Sequence, residues 1–345
     1  MDKILKEDLA SFRLPYELTE CLRGATIIVT GATGLIGSMF VRCLRALELD
    51  IRWLLPVRDL RKAEELLLGN GNDSHVGDIV LIEGNITEFF AHAQHDADYI
   101  IHCASPTNGE FMSRHPAETF LLAVESTKAA LDYCRRKPVK GMVYVSSLEY
   151  YGQRYDDDPI TEVMTGQIDH QSPRSSYPLG KQAAEYLCFS YAAEYGLPVS
   201  IARLTQTFGA GVAPGDKRVF AQFARSVIAG NDIVLHTCGK SAKPYCYTTD
   251  CVAALAYILL KGKPGDAYNV ATPGTYVSIR RLAEIFREMF NQEIEIRVCP
   301  EDAGYAPETR LNLNSDKLQA LGWRPLHDLE DMLRRLVESM QNDKK

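Results

Sequence analysis

The chain has 345 residues, of which 46% are hydrophobic and 24% are charged, the proportions of an ordinary globular protein. Its 45 acidic side chains outnumber the 38 basic ones and give a formal net charge of -7, so we expect no nucleic acid among its partners. No apolar run approaches the ~20 residues that span a bilayer, and the charged N-terminus lacks the apolar segment of a signal peptide, so we expect no membrane partner.

Residues 1–24 predict a short helical extension, with Leu5, Leu9 and Phe12 on one face. From Gly24, apolar strand-like runs alternate with helical patterns. The strand candidates are ATIIVTG, IRWLLPV, DIVLIEG, DYIIHCAS, GMVYVSS and VSIARLT. Strands without polar alternation are buried on both faces, and helices between them imply right-handed βαβ units. The pattern predicts an α/β fold with a doubly wound parallel sheet over residues 25–207. An interleaved, smaller α/β substrate-binding lobe is expected over residues 208–345.

A glycine-rich turn follows the first strand, where TGATGLIG spaces three glycines as GxxGxxG. Glycine permits a tight turn and lets the backbone approach a pyrophosphate, and the following helix supplies N–H donors at its N-terminus. The alternative is a tight turn that binds no ligand. The pattern favours a dinucleotide site, and the contacts expected from this turn are Gly31, Thr33, Gly34, Leu35, Ile36 and Gly37.

Arg58 and Asp59 follow the second strand, about 20 residues beyond the glycines. An acidic residue there binds the ribose 2′-hydroxyl of NAD, whereas an arginine suits the 2′-phosphate of NADP. Because Arg58 comes first, the sequence favours NADP over NAD. The alternative is an Arg58 that stacks on the adenine with NAD bound.

Two serines and a glutamate end the fifth strand candidate, namely Ser146, Ser147 and Glu149. A hydroxyl at a strand end could donate to a substrate oxygen, although serines there are also ordinary turn formers. An acidic run, Asp156 to Asp158, follows, and we expect it to be solvated or to shape a lid.

Tyr177 and Lys181 are four residues apart in SSYPLGKQAAEYL. On a helix, which Pro178 suits in its first turn and Gly196 ends, they share one face. A free tyrosine has a pKa of about 10, and a nearby ammonium lowers that pKa. The pair therefore predicts a cofactor-holding acid/base for hydride transfer at a carbinol. The alternative is a surface tyrosine beside a lysine.

The nine cysteines are scattered singly, without a CxxC pair. An odd number of unpaired cysteines predicts neither a disulfide framework nor a zinc site, so we expect reduced thiols and a cytoplasmic protein. His102 and His236 lie in or beside apolar runs. Because no second ligand follows at metal spacing, we interpret both as core histidines and expect no metal site.

Taken together, the motifs occur in the order seen in extended short-chain dehydrogenases/reductases: TGATGLIG, HCAS, VSSLEYYG, YPLGK, ARLTQTFG, YCYTTDCVAAL and LGWRP. Over residues 25–330 the sequence resembles most closely the sugar-nucleotide epimerase/dehydratase branch. The resemblance implies a Rossmann sheet, a homodimer formed through two helices of each subunit, and a bound NAD or NADP. In such enzymes the cofactor oxidises C4 of the sugar. The 4-keto intermediate then epimerises, loses water, decarboxylates or is re-reduced.

The resemblance also implies roles for individual residues. Tyr177 would be the base, Lys181 would bind the ribose and tune the tyrosine, and Ser147 would be the hydroxyl partner, with Glu149 as a further acid/base. Further cofactor contacts would be Arg58, Asn85, Ile86, Ala104, Ser105, Leu204 and Thr207. The substrate contacts would be Ser146, Gln206, Lys243 and Arg310.

Departures from the family pattern narrow the reaction. Leu148 stands where dehydratases carry the first acid of an Asp-Glu pair, so dehydration is disfavoured, while Glu149 leaves epimerisation or decarboxylation open. Gln206 stands where the family has an asparagine. Lys243 stands where the family has an arginine, so a compact ammonium takes the place of a planar, bidentate guanidinium. The arginine of the RPGD loop is missing from PEDAGYAPETR, although Arg310 is near.

Three functions follow in order of preference. The first is NAD(P)-dependent modification of a nucleotide-activated sugar, as an epimerase or a decarboxylase. The second is an NADPH-dependent ketoreductase, which suits both Arg58 and Leu148. The third is a dinucleotide-binding regulator without catalysis, against which the intact Tyr177 and Lys181 argue.

Overall fold

A computed structural model describes residues 2–68, 78–106, 109–213, 215–299 and 308–342. Its strands are β1 (Thr26–Thr30), β2 (Arg52–Val57), β3 (Ile79–Glu83), β4 (Tyr99–His102), β5 (Gly141–Ser147), β6 (Val199–Leu204), β7 (Gln206–Phe208), β8 (Ile233–Leu235), β9 (Ala242–Lys243), β10 (Tyr245–Tyr247), β11 (Ala267–Val270), β12 (Val277–Ser278) and β13 (Ile296–Val298).

The helices alternate with these strands. They are α1 (Lys3–Ser11), α2 (Tyr16–Leu22), α3 (Leu35–Arg45), α4 (Leu60–Ala63), α5 (Ile86–His92), α6 (Gly109–Arg114), α7 (Pro116–Arg136), α8 (Ser176–Tyr195), α9 (Val219–Ala229), α10 (Thr248–Lys261), α11 (Ile279–Phe290), α12 (Asp316–Gln319) and α13 (Leu329–Asn342). A π-helical turn, Glu64–Leu68, extends α4, and 3-10 turns span Leu148–Tyr151 and Pro173–Ser175. Within the described ranges, no helix has both the length and the apolarity to cross a membrane.

Seven parallel strands form the central sheet in the order β11-β6-β5-β4-β1-β2-β3. The predicted doubly wound parallel sheet is therefore confirmed. Ile28, Val29 and Leu54 are fully buried because helices cover both faces of the sheet. The strand order reverses between β1 and β4, and ligands bind at the carboxyl ends of strands at such a switch point.

A second, smaller core packs around Phe220, Phe286 and Leu333, between α9, α11 and α13 and beside the paired strands β8 and β13. The chain does not divide cleanly at residue 208, because Leu255 of α10 and Val270 of β11 return to the core of the large sheet. Two short pairings, β7 with β10 and β9 with β12, lie outside the central sheet.

The N-terminal extension joins the two cores. Leu18 and Leu22 of α2 pack into the core of the large sheet, while α1 lies against α13. Asp8 of α1 is buried and accepts hydrogen bonds from the hydroxyl of Tyr247, at 2.7 Å, and from Nη1 of Arg335, at 2.8 Å. The predicted helical extension is confirmed, with a break between two helices at residues 12–15.

Candidate active site

The glycine turn lies at the carboxyl end of β1, at the switch point. Gly31 has a φ of +69°, a conformation that favours glycine, and a Cβ there would lie 3.0 Å from the backbone nitrogen of Ala104. A Cβ at Gly37 would overlap the carbonyl oxygen of Gly31. Gly34 is the N-cap of α3 and supplies no side chain to its first turn. The backbone therefore forms a cradle whose N–H donors are open to an anion.

The end of β4 lies beside this cradle. The N–H of Ala104 donates to the hydroxyl of Thr30, at 3.2 Å. The hydroxyl oxygen of Ser105 is buried and has no hydrogen-bond partner among the described residues. An orphaned hydroxyl beside a glycine cradle is a site that a dinucleotide fits. Of the other predicted turn contacts, Thr33, Leu35 and Ile36 are half-buried.

The end of β2 carries Arg58 and Asp59, both exposed. The carboxylate of Asp59 caps α4 by accepting the N–H of Lys62, at 3.0 Å. In the next loop, Asn85 accepts the N–H of Thr87, at 2.8 Å, and so caps α5. The following residue, Ile86, is half-buried at the start of that helix.

Helix α8 brings Tyr177 and Lys181 onto one buried face, and it ends at Gly196 as the sequence predicts, with a φ of +66°. Nζ of Lys181 donates to the carbonyl oxygen of Val145 in β5, at 2.8 Å, and lies 5.6 Å from the ring centroid of Tyr177. The lysine is 2% exposed and the tyrosine 9%. This burial excludes the alternative of a solvated surface pair.

Burial sets the pKa values of this pair. Burial and then the charge of Glu149 raise the pKa of Tyr177 above its ordinary value, against the nearby hydroxyl of Ser147 and the charge of Arg174. Burial lowers the pKa of Lys181 to about 8, against the charges of Glu185 and Cys103. The predicted lowering of the tyrosine pKa by Lys181 is therefore wrong for the protein alone, because desolvation of the phenolate dominates.

The turn after β5 places Ser147 and the carboxylate of Glu149 near Arg174. The hydroxyl of Ser147 accepts the N–H of Glu149, at 3.2 Å, and Ser147 lies close enough to Tyr177 to affect its pKa. Nη2 of Arg174 donates to Oε1 of Glu149, at 2.8 Å. The guanidinium carbon of Arg174 lies 5.7 Å from the ring centroid of Tyr177. Arg174 is not among the residues predicted from the sequence, where its only signal is its position three residues before Tyr177.

Ser146, predicted to contact the substrate, is bound inside the protein instead. Its side chain is buried, and its hydroxyl donates to Oε1 of Glu185. Because Glu185 takes up the hydroxyl of Ser146, Ser147, the last residue of β5, remains the candidate hydroxyl partner of Tyr177. Glu185 was also missed, although it follows Lys181 by one further helical turn. It is paired with Arg203 of β6.

The remaining predicted contacts lie at the ends of β6, β7 and β9. Leu204 and Thr207 are buried, and the hydroxyl of Thr207 donates to the carbonyl oxygen of Thr205, at 3.2 Å. Gln206 is half-buried. Burial lowers the pKa of Lys243, which is also half-buried, while the neighbouring charge of Glu149 raises it.

Arg310 contacts a different group of residues, away from Tyr177 and Lys181 in the hydrogen-bond network. It donates to Asp157, at 2.8 Å, and pairs with Glu308, at 3.4 Å, while the hydroxyl of Tyr276 donates to the other oxygen of Asp157, at 2.6 Å. All three residues of the acidic run 156–158 are exposed, and Asp157 in addition binds two side chains. Most of the PEDAGYAPETR stretch, residues 300–307, lies outside the described residues.

His102 is buried between two hydroxyls. Its Nδ1 lies 2.8 Å from the hydroxyl of Thr30 and its Nε2 lies 3.3 Å from that of Ser126. Burial lowers its pKa to about 3, helped by the charge of Lys181. A neutral histidine in this setting is part of the core. His236 is half-buried next to β8.

A sequence model of the NAD dependent epimerase/dehydratase family matches residues 27–271, which span the glycine turn, the Tyr177–Lys181 pair and β11. The chain belongs to this family. Among its relatives, UDP-glucuronic acid decarboxylase 6 of Arabidopsis thaliana is 28% identical over 320 residues, which cover 91% of this chain and 88% of the relative. A dTDP-D-glucose 4,6-dehydratase of Bos taurus is 26% identical over 70% of this chain and 67% of its own.

Solved structures of the family share the fold. The UDP-glucose 4-epimerase of Thermotoga maritima with UDP-glucose superposes with a TM-score of 0.78, at 22% identity, over 93% of this chain and 100% of that one. The dTDP-glucose 4,6-dehydratase of Bacillus anthracis in complex with NAD superposes with a TM-score of 0.77, at 20% identity. The match covers 93% of this chain and 97% of the dehydratase. At these identities the likeness shows the fold alone.

Proposed function

We propose that the protein is an NAD(P)-dependent enzyme that modifies a nucleotide-activated sugar through a transient 4-keto intermediate, as an epimerase or a decarboxylase. The carrying observation is the burial of Tyr177 and Lys181 on one face of α8, with Nζ of Lys181 5.6 Å from the ring centroid of Tyr177. Ser147 ends the adjacent strand β5. This set suits proton transfer at a sugar hydroxyl. The family and the nucleotide-sugar relatives support the substrate class.

The residues divide the chemistry between them. A nicotinamide cofactor bound at the glycine turn would supply the hydride acceptor and donor for C4 of the sugar. Tyr177 takes the proton of the C4 hydroxyl, so that C4 becomes a ketone, and Ser147 donates a hydrogen bond to the same oxygen. Lys181 holds the ribose of the cofactor. Glu149 supplies a second acid/base for a proton at C5. Leu148 has no such group, which disfavours dehydration.

We propose NADP as the preferred cofactor. Asp59 is engaged in capping α4, and Arg58 stands exposed directly after β2, where a 2′-phosphate would lie. This same observation supports the second candidate function, a ketoreductase that consumes NADPH. Arg58→Glu should therefore weaken NADP binding more than NAD binding in a fluorescence titration.

One experiment separates these functions. The purified protein is denatured, and the mass and ultraviolet spectrum of the released small molecule are recorded. Tightly held cofactor, followed by redox-neutral conversion of UDP-glucuronic acid or UDP-glucose, supports the nucleotide-sugar enzyme. Stoichiometric loss of NADPH absorbance with a ketone substrate supports the ketoreductase instead. A protein that binds neither cofactor contradicts both.

We propose a homodimer formed through α7 and α8. Leu121 of α7 and Tyr186, Phe189 and Tyr195 of α8 are large apolar or aromatic side chains that are 40–69% exposed. Exposed aromatic side chains grouped on a packed helix pair are typical of a protein interface. A second copy would bury them.

We propose a reducing compartment, the cytoplasm, for this protein. All nine cysteines are free, and five of them are buried. Thiols of this kind persist in compartments where glutathione and thioredoxin keep them reduced. Quantitative alkylation of the protein purified without reductant, read by mass, tests this proposal.

A further inference from the structure

The active site carries more positive charge than its own carboxylates balance. Glu149 faces Arg174, Lys243 and Lys181. The other carboxylate near Lys181, Glu185, is already matched by Arg203. A partly buried cluster with surplus cations is stabilised by a bound anion.

Arg174 is the group with unused binding capacity. Its Nη2 donates to Glu149, while its Nη1 is buried and has no hydrogen-bond partner among the described residues. A buried donor without a partner costs free energy, which a ligand oxygen would recover. The side chain as a whole is 35% exposed. A ligand oxygen that reaches the exposed part of the guanidinium can therefore bind Nη1 after rotation about the outer bonds of the side chain.

The position of Arg174 relative to Tyr177 indicates which anionic group of a substrate would bind to this cationic cluster. The guanidinium carbon lies 5.7 Å from the ring centroid of Tyr177, and Tyr177 acts on the hydroxyl of C4. In a uronic acid, the carboxylate carbon is bonded to C5, the neighbour of C4. A planar guanidinium fork matches a carboxylate in geometry and in charge. A diphosphate, in contrast, is attached to the far side of the sugar ring, at C1.

We propose that Arg174, assisted by Lys243, forms a subsite for a carboxylate on the sugar ring, so that the enzyme selects nucleotide-activated uronic acids over neutral sugars. This proposal rests on the proposed function and narrows its substrate class. It makes Arg174 a specificity-determining residue.

Binding to the full-length, cofactor-loaded protein tests the subsite. Calorimetric titrations use UDP-glucuronic acid, UDP-glucose and UDP, with the wild type and with Arg174→Gln. We expect the variant to bind UDP-glucuronic acid about 10- to 100-fold more weakly, the range for a charge-assisted hydrogen bond. Its affinity for UDP-glucose and for UDP should change by less than about 2-fold. Arg174→Lys keeps the positive charge but loses the planar, two-pronged guanidinium. Its affinity for UDP-glucuronic acid should lie between those of the wild type and Arg174→Gln.

Matched variants and alternative outcomes make the test sharp. Arg281→Gln, at an exposed ion pair on α11, should leave all three affinities unchanged. An equal loss for the three ligands with Arg174→Gln would assign the cations to the diphosphate and overturn the subsite. Unchanged affinity for UDP-glucuronic acid would also overturn it. If Arg174→Gln does not fold, the affinities of Arg174→Lys and Lys243→Gln for the same three ligands test the subsite instead.

A second readout separates this proposal from the proposed function. Reduction of the bound cofactor, followed at 340 nm after addition of UDP-glucose, reports oxidation of the sugar. If the wild type reduces its cofactor with UDP-glucose but shows no preference for the uronic acid, the subsite fails and the proposed function stands. If no nucleotide sugar binds or reacts, both fail.

Discussion

Arg203 and Glu185 form a buried, bidentate ion pair between β6 and α8. Nη2 of Arg203 lies 2.7 Å from Oε2 of Glu185, and both side chains are at most 5% exposed. The guanidinium also stacks on Tyr150, at 3.4 Å from the ring centroid, and donates to the hydroxyl of Tyr151, at 2.9 Å. The pair therefore ties α8, the helix that carries Tyr177, to the turn that carries Glu149.

Removing one member of this pair should be costly. Glu185→Leu leaves Arg203 charged, buried and unpaired, and we expect a loss of about 3–5 kcal/mol in the free energy of unfolding. The double variant Glu185→Leu/Arg203→Met should recover most of that loss. Urea unfolding measures both. Glu288→Gln, at an exposed pair with Arg281, is the control and should cost less than about 1 kcal/mol. Equal losses at both sites would contradict the role given to burial.

The sequence predicts the helices and strands better than it predicts which of their side chains meet. The α8 helix and its end at Gly196 follow from YPLGK and from the glycine stop, and the structure confirms both. Glu185 of the helix α8 and Arg203 of the strand β6 pair although they are 18 residues apart in the sequence. No local pattern indicates which side chains meet there, because the register between helix and sheet is set by tertiary packing.

The same limit explains the two serines at the end of β5. Strand alternation predicts that Ser146 and Ser147 face opposite sides of the sheet. Which of them is directed at Tyr177 depends on where α8 packs, and Glu185 takes the hydroxyl of Ser146. The pKa of Tyr177 differs from the expectation for a related reason, because burial is a property of the folded molecule and not of the spacing.

Tyr177→Phe tests the catalytic assignment. The variant keeps the ring and its packing but loses the hydroxyl that transfers the proton, so turnover should fall by about 10²–10⁴. Cofactor affinity should be retained. Turnover is measured by product formation and affinity by fluorescence titration. Tyr186→Phe, exposed on the same helix, should retain full turnover. A Tyr177→Phe enzyme as fast as the wild type would remove the tyrosine from the mechanism.

Asp8 gives the N-terminal extension a pH dependence. Burial raises its pKa from 3.8 to about 6, against the hydrogen bond from Tyr247 and the charge of Arg335. The folded protein thus binds this proton more tightly than the unfolded chain does. The contribution of Asp8 to stability is full below about pH 4 and is lost as the pH rises through about 6, by about 3 kcal/mol in total.

The measurement for Asp8 is the difference between the wild type and Asp8→Asn in urea unfolding at several pH values. The wild type should lose stability relative to the variant between about pH 4 and pH 6, and the difference should be constant above that range. Other carboxylates titrate equally in both proteins and cancel. A difference that is independent of pH would contradict the raised pKa.

Phe189→Glu tests the dimer. Phe189 is 54% exposed on α8, and its ring centroid lies 6.3 Å from that of Tyr186. A carboxylate at this position would be desolvated in an interface and would be repelled by its copy in the symmetric partner. We expect light scattering to show a dimer for the wild type and a monomer for the variant, with an unchanged circular dichroism spectrum. Val163→Glu, at an exposed residue away from both helices, should remain dimeric.

Gly37→Ala tests the dinucleotide cradle. The added Cβ would overlap the carbonyl oxygen of Gly31, so the turn must move and its N–H donors lose their alignment toward the pyrophosphate. We expect cofactor affinity to fall at least about 10-fold in a fluorescence titration. Gly215→Ala, where a Cβ meets open space, is the control and should bind cofactor as the wild type does. Because both are glycine-to-alanine changes in loops or at helix starts, a selective loss at Gly37 locates the dinucleotide at the end of β1, and equal affinities would place it elsewhere.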